Sequence, residues 1–351
     1  MPSRYDESLC VSADSLSAQL QTAGRCFLLG GVLPAGNETR KLGKLAMKNL
    51  VRVGTRGSQL ALAQTKLVVE GLKHTVKGVG YEIVTIRTKG DKMNESRSSA
   101  MEGKSLFTEE IEEALLKGDV DMAVHSMKDL TTDMQVGVII GAVLEREDAR
   151  DVLISRSKKK FQQLQGGASV GTSSPRRRAQ LLAARGDLQI AEMHGNVDTR
   201  LRKLEMGEYD AIVLAAAGLI RLGLDRHVTE FLSTGILLPA VGQGALAVQC
   251  REDDDEIKEL LSHIDDKVTR RAVEAERAFA RKLGADCHTP VAAYARVESS
   301  KLTIDGMVAA LNGRMLVRSQ ITSINPDPEK VGEELAESLL EKGAGAILEA
   351  A

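Results

Sequence analysis

The chain has 351 residues, 43% of them hydrophobic, and balances 47 Lys and Arg against 49 Asp and Glu. That length exceeds one ordinary domain, and a near-neutral chain with 3% aromatic residues and no Trp is a poor nucleic-acid platform. Its four cysteines (Cys10, Cys26, Cys250, Cys287) form no Cys-x-x-Cys pair, which argues against a metal site or a disulfide framework and for a reducing, cytoplasmic compartment.

Residues 1–47 mix Ser, Gly and charges around one short apolar stretch, Cys26 to Leu33. Asp6, Glu7 and Asp14 fit neither a secretory signal nor an acid-poor transit peptide. The segment reads as a poorly ordered extension, with an organellar address as the alternative. No apolar run is long enough to span a membrane.

From Leu50 the chain alternates strands and helices. Val51 and Val53 mark a strand ending at Gly54-Thr55-Arg56-Gly57-Ser58, followed by a helix with Leu60, Ala63, Leu67 and Leu72 along its apolar stripe. Ile83–Arg87 is predicted as a second strand. A helix capped by Thr108 should stop at Gly118, and Asp121–Val124 should run as a strand into His125-Ser126-Met127-Lys128-Asp129. A second such unit is predicted with strands near 168–171, 189–192 and 210–215. From about 266 the rhythm changes: a helix capped by Thr269, short strands with an Asn312-Gly313 hairpin signal, and a final helix carrying Val331, Leu335 and Leu339. The pattern implies an α/β fold with a smaller C-terminal α+β domain.

The polar clusters fall at strand ends, where open α/β sheets bind ligands. In Val170-Gly171-Thr172-Ser173-Ser174-Pro175, Ser174 is a natural N-cap and Pro175 suits the first helical position; Gly186 would end that helix. Arg176, Arg177 and Arg178 then crowd a first turn where cations are disfavoured, so a partner rich in carboxylate or phosphate is expected there. Arg56, Arg200 and Arg221 offer further carboxylate-binding forks. Asp129 is an acid among cations, surroundings that favour its ionised form. Cys287 lies in the loop Gly284-Ala285-Asp286-Cys287-His288-Thr289-Pro290, more accessible than a core cysteine.

Several strings resemble the hydroxymethylbilane synthase (porphobilinogen deaminase) family: Gly54–Gln64, His125-Ser126-Met127-Lys128-Asp129-Leu130, Val170–Arg178, Gly195-Asn196-Val197 with Thr199-Arg200-Leu201, Leu238–Ala245, and Glu276-Arg277-Ala278-Phe279 ahead of Cys287. The resemblance spans about residues 48 to 350. It implies two domains like type II periplasmic binding proteins, the first from residues 48–147 and 241–264 and the second from 148–240, with the third at 265–351. It also implies a monomer whose Cys287 carries a dipyrromethane cofactor through a thioether. Four porphobilinogen units condense onto that cofactor with loss of ammonia, and hydrolysis releases hydroxymethylbilane. By the same match Asp129 is catalytic, and Ser126, Lys128, Asp129, Thr172, Ser174, Arg176, Arg177 and Arg200 hold the cofactor. Arg56, Ser58 and Arg200 hold substrate carboxylates, with His194 and Arg221 as further candidates. His194 stands where the family usually has arginine, and Asp198 adds a negative charge beside it.

Overall fold

The computed structural model describes residues 48–89, 108–132, 134–286 and 289–350. The extension before Lys48, and Cys287 with His288, lie outside the described residues. The chain opens with β1 (Leu50–Thr55), α1 (Gln59–Thr75), β2 (Gly80–Thr85), α2 (Glu109–Lys117), β3 (Met122–Ser126) and β4 (Val138–Val143). It continues through β5 (Asp151–Ser155), β6 (Ser169–Gly171), α3 (Pro175–Ala184), β7 (Gln189–Ala191), α4 (Val197–Glu205), β8 (Ala211–Ala215), α5 (Ala216–Arg221) and β9 (Glu230–Phe231). It then returns through β10 (Leu246–Arg251) and α6 (Asp255–Ser262). Last come α7 (Lys267–Lys282), β11 (Val291–Glu298), β12 (Lys301–Ala309), β13 (Leu316–Ile324), α8 (Pro328–Glu341) and α9 (Ala344–Glu349).

Two five-stranded sheets share one plan. The first has the order β2-β1-β3-β10-β4 and the second β7-β6-β8-β5-β9. In each, three parallel strands are followed by one antiparallel strand that the chain supplies out of turn: β10 pairs antiparallel with β3 and β4, and β5 with β8 and β9. The chain therefore passes between the sheets twice, at residues 144–150 and 232–245. The central strands are apolar runs buried on both faces, as Met122–Val124, Val152–Ile154 and Ala211–Leu214 are here. The third unit is the antiparallel sheet β11-β12-β13, with α7 and α8 packed around Phe279, Leu302, Ile304, Leu335 and Leu339. Gly332 lets the two helices meet, since a β-carbon there would lie 2.2 Å from the Ala275 carbonyl oxygen. The fold class read from the sequence, α/β with two similar sheets and a smaller α+β unit, is the one observed.

Local readings hold less evenly. Ser174 caps α3 by accepting from the Arg177 N–H, with Pro175 at its first position, and Gly118 takes the left-handed conformation that ends α2. The α3 helix stops at Ala184 with Arg185 as its C-cap, one residue before Gly186. In α1 the buried stripe is Thr65, Val68, Val69 and Leu72, while Leu67 is 45% exposed. The second strand is Gly80–Thr85, set by pairing with β1 from Leu50↔Gly80 to Thr55↔Thr85, and does not reach Arg87. Of the two predicted threonine caps, Thr108 stands at the N-cap of α2 and Thr269 does not cap α7. Thr108 makes no side-chain cap hydrogen bond, and α7 is capped by Asp266, which accepts from the Thr269 N–H while the Thr269 hydroxyl accepts from the Arg146 N–H. The β12–β13 turn spans residues 310–315, and its Gly313 (φ +72°) abuts α3, where a β-carbon would lie 2.8 Å from the Ala179 oxygen.

Candidate functional site

A cleft of about 1440 Å³ is lined from both five-stranded sheets and from the segments that cross between them. Among its described lining residues basic side chains outnumber acidic ones eight to three, so it favours a polyanionic occupant. The first sheet contributes the turn after β1, with Arg56 and Ser58, and the turn after β3, with Ser126, Lys128 and Asp129. Ser58 caps α1 by accepting from the Ala61 N–H at 3.2 Å. Arg56, Ser58, Ser126 and Asp129 also line a side pocket of about 60 Å³. The second sheet contributes Arg177, His194 and Arg200, and α5 contributes Arg221.

The turn bearing Asp129 is tightly seated. Residues Met127–Asp129 form one 3-10 turn, and the Met127 N–H donates to the Ala245 oxygen at 3.1 Å. Gly242, at φ +70°, passes so close that a β-carbon would lie 2.5 Å from Met127 Cγ. This leaves the Asp129 carboxylate exposed to the cleft. Burial pushes the Lys128 ammonium down to about 8, against the pull of Asp129 and with the help of Arg177. Lys128 is thus a cation at neutral pH, and its Nζ donates to Gln243 Oε1 at 3.4 Å. Next to Ser126 on β3, burial and the nearby Arg56 push His125 down to about 4, so it packs as a neutral ring.

The arginines in the first turn of α3 prove to have an internal counterion. Asp151, fully buried at the start of β5, receives Arg176 Nη1 at 2.7 Å and Arg177 Nη2 at 2.7 Å, and Gln243 Nε2 at 3.1 Å. Burial alone would raise the Asp151 carboxyl; the two guanidiniums win and hold it well below the usual carboxylate range. An external anion is therefore not required to explain that turn. Arg176 also donates to the Leu238 oxygen and does not appear among the cleft-lining residues, whereas Arg177 does. Thr172 and Ser174 also stay out of the lining: the Thr172 hydroxyl accepts from the Ser174 N–H, and Ser174 caps the helix. Together they hold the turn that presents Arg177.

On the opposite loop, Asn196 caps α4 and Arg200 Nε donates to the Gly195 oxygen at 2.7 Å. Burial, reinforced by Arg177, pushes Arg200 down to about 10, and burial does the same to Arg221, which donates to the Gly244 oxygen at 2.6 Å. His194 is exposed, and its Nε2 lies 3.5 Å from Glu192 Oε2. Sequence reasoning missed Gln64, whose Nε2 lies 2.8 Å from Ser126 Oγ, and Ser173, which bonds the Met193 carbonyl at 2.6 Å and so joins the two loops of the second sheet. It also missed Gln243 and Asp151. Among the described residues no cluster of metal-ligating side chains forms, and no helix is long and apolar enough to cross a membrane.

The family model described as "Porphobilinogen deaminase, dipyromethane cofactor binding domain" matches residues 51–259, and that described as "Porphobilinogen deaminase, C-terminal domain" matches 270–341. The chain is 49% identical over 305 residues to a protein named porphobilinogen deaminase from Pelotomaculum thermopropionicum, covering 87% of this chain and 98% of that one. It is likewise 49% identical over 304 residues to one of the same name from Geobacillus kaustophilus, covering 86% and 97%. Among solved structures, the periplasmic VFT2 domain of Bordetella pertussis BvgS aligns at a TM-score of 0.39 and 14% identity, covering 62% of this chain and 86% of that one.

Proposed function

Because the chain belongs to the porphobilinogen deaminase family, we propose that its cleft holds dipyrromethane and porphobilinogen by their carboxylates and that Asp129 acts on the reacting pyrroles. The family's reaction is a transferase step of tetrapyrrole biosynthesis: stepwise deaminating condensation of porphobilinogen, then hydrolysis to hydroxymethylbilane. The observation that carries the residue assignment is the position of Asp129, an exposed carboxylate on a fixed turn in a cleft otherwise dominated by cations.

The donor set fits the cofactor. Dipyrromethane bears acetate and propionate side chains, and Arg177, Lys128 and Ser126 stand together to receive them. Thr172, Ser174 and Arg176 support Arg177 from behind. When bound, the cofactor supplies a nucleophilic pyrrole carbon and, through Cys287, a covalent tether. Arg56, Ser58 and Arg200, with His194 and Arg221, hold the carboxylates of the incoming porphobilinogen. Arginine suits this task because its planar fork pairs with carboxylate at two points.

The aminomethyl group of porphobilinogen is an ammonium at neutral pH and leaves as ammonia, so no strong acid is needed. The cation left on the pyrrole is stabilised by a nearby carboxylate, which Asp129 supplies while accepting from the pyrrole N–H. The same oxygen takes the ring proton after the carbon–carbon bond has formed. Both cleft walls come from one copy of the chain, which supports a monomer; the near-neutral charge supports the absence of a nucleic-acid partner, and the cysteine usage supports a cytoplasmic setting.

Michaelis constants for porphobilinogen test the carboxylate-binding role. Arg200→Gln removes a charge-assisted contact, and KM should rise by about 10-fold or more. His194→Arg supplies a permanent fork, and KM should fall a few-fold. Unchanged KM in both variants would remove these side chains from the substrate's path.

A further inference from the structure

Arg277 lies on α7, the helix that leads toward Cys287, yet its guanidinium serves the turn bearing Asp129. It is 6% exposed, and its Nη1 donates to the Leu130 oxygen at 3.3 Å, while Nη2 donates to the Thr131 oxygen at 2.7 Å and the Thr132 oxygen at 3.3 Å. These carbonyls directly follow the 3-10 turn, whose end leaves backbone acceptors that need partners. The other side of the turn is fixed by Ala245 and Gly242. Glu276, the adjoining residue on α7, binds Arg146 and the Gly242 N–H, so the same stretch of helix also holds the strap behind the turn.

We infer that Arg277 is a positioning residue for Asp129, locking the catalytic turn to the helix that precedes the cofactor cysteine. A fork grips adjacent carbonyls in one geometry that no flexible side chain reproduces. Misplacing a catalytic group by about an ångström can cost about 100-fold in rate. The inference rests on the assignment of Asp129 above, and it can fail while that assignment stands.

The test is a double-mutant cycle with Arg277→Gln and Asp129→Asn. Turnover is measured per cofactor-loaded molecule, with loading read from intact mass and folding from circular dichroism. Arg277→Gln should lower turnover by about 10-fold or more while KM stays within about 2-fold. Arg277→Lys, which keeps the charge and its donors on a single nitrogen but loses the fork, should recover part of the loss, and it carries the cycle if the glutamine variant does not fold. In the Asp129→Asn background the Arg277 substitution should cost less than about 2-fold, because residues acting as a unit are not additive. Equal losses in both backgrounds, or normal turnover per loaded molecule in Arg277→Gln, overturn the inference. Normal turnover in Asp129→Asn alone overturns the assignment beneath it, and the inference with it.

Discussion

Asp129→Asn should lower turnover by about 100-fold or more, the scale typical of removing an electrostatic or acid–base group, equivalent to about 2.7 kcal/mol of transition-state stabilisation. Asparagine preserves the size of the side chain and one acceptor oxygen, so the 3-10 turn and the N–H contact can persist. What disappears is the negative charge that balances the cation formed as ammonia leaves. Since Lys128, Arg56 and Arg177 remain around the site, the developing cation is left in a field of like charge. Turnover of the purified, cofactor-loaded variant is the measurement, and a rate near wild type excludes the assigned role.

Glu276→Ala should destabilise the fold by about 3–5 kcal/mol, the usual cost of removing one partner from a buried ion pair. Glu276 is fully buried and grips Arg146 at 2.6 and 3.1 Å while accepting from the Gly242 N–H at 2.7 Å and the Ala295 N–H at 2.7 Å. Arg146 in turn donates to the Gln243 oxygen at 2.8 Å and lies over the Tyr294 ring. One carboxylate therefore ties the third unit to both segments that cross between the sheets. Its loss strands a guanidinium and two backbone donors. Denaturant unfolding measures the effect, with Glu276→Gln losing less because one acceptor oxygen survives. Wild-type stability in Glu276→Ala contradicts this role.

The strands and the ends where polar clusters gather were legible because a buried parallel sheet demands short apolar runs and the chain's polar residues interrupt them sharply. The N-cap at Ser174 was legible for the same local reason: its hydroxyl, Pro175 and the helix all lie within a few residues. What escaped was everything settled by residues distant in sequence. Asp151 looks like any acid opening a strand, and only the antiparallel pairing of β5 with β8 brings it under Arg176 and Arg177. In sequence the cluster of arginines therefore points to a ligand, although much of its charge is met within the protein. Thr269 resembled a cap, but Asp266 holds that position and frees the Thr269 hydroxyl for Arg146. Hydrophobicity alone puts Leu67 on the buried stripe of α1, whereas the period that packs is Thr65, Val68, Val69 and Leu72.

Intact mass of the purified protein, set beside that of Cys287→Ser, bears most directly on the central claim that this cleft works around a dipyrromethane tethered to that cysteine. The active wild-type protein should exceed its sequence mass by two condensed porphobilinogen units, and Cys287→Ser should show the bare chain with no turnover. Active wild-type protein at its sequence mass, or the same excess retained in Cys287→Ser, would contradict it.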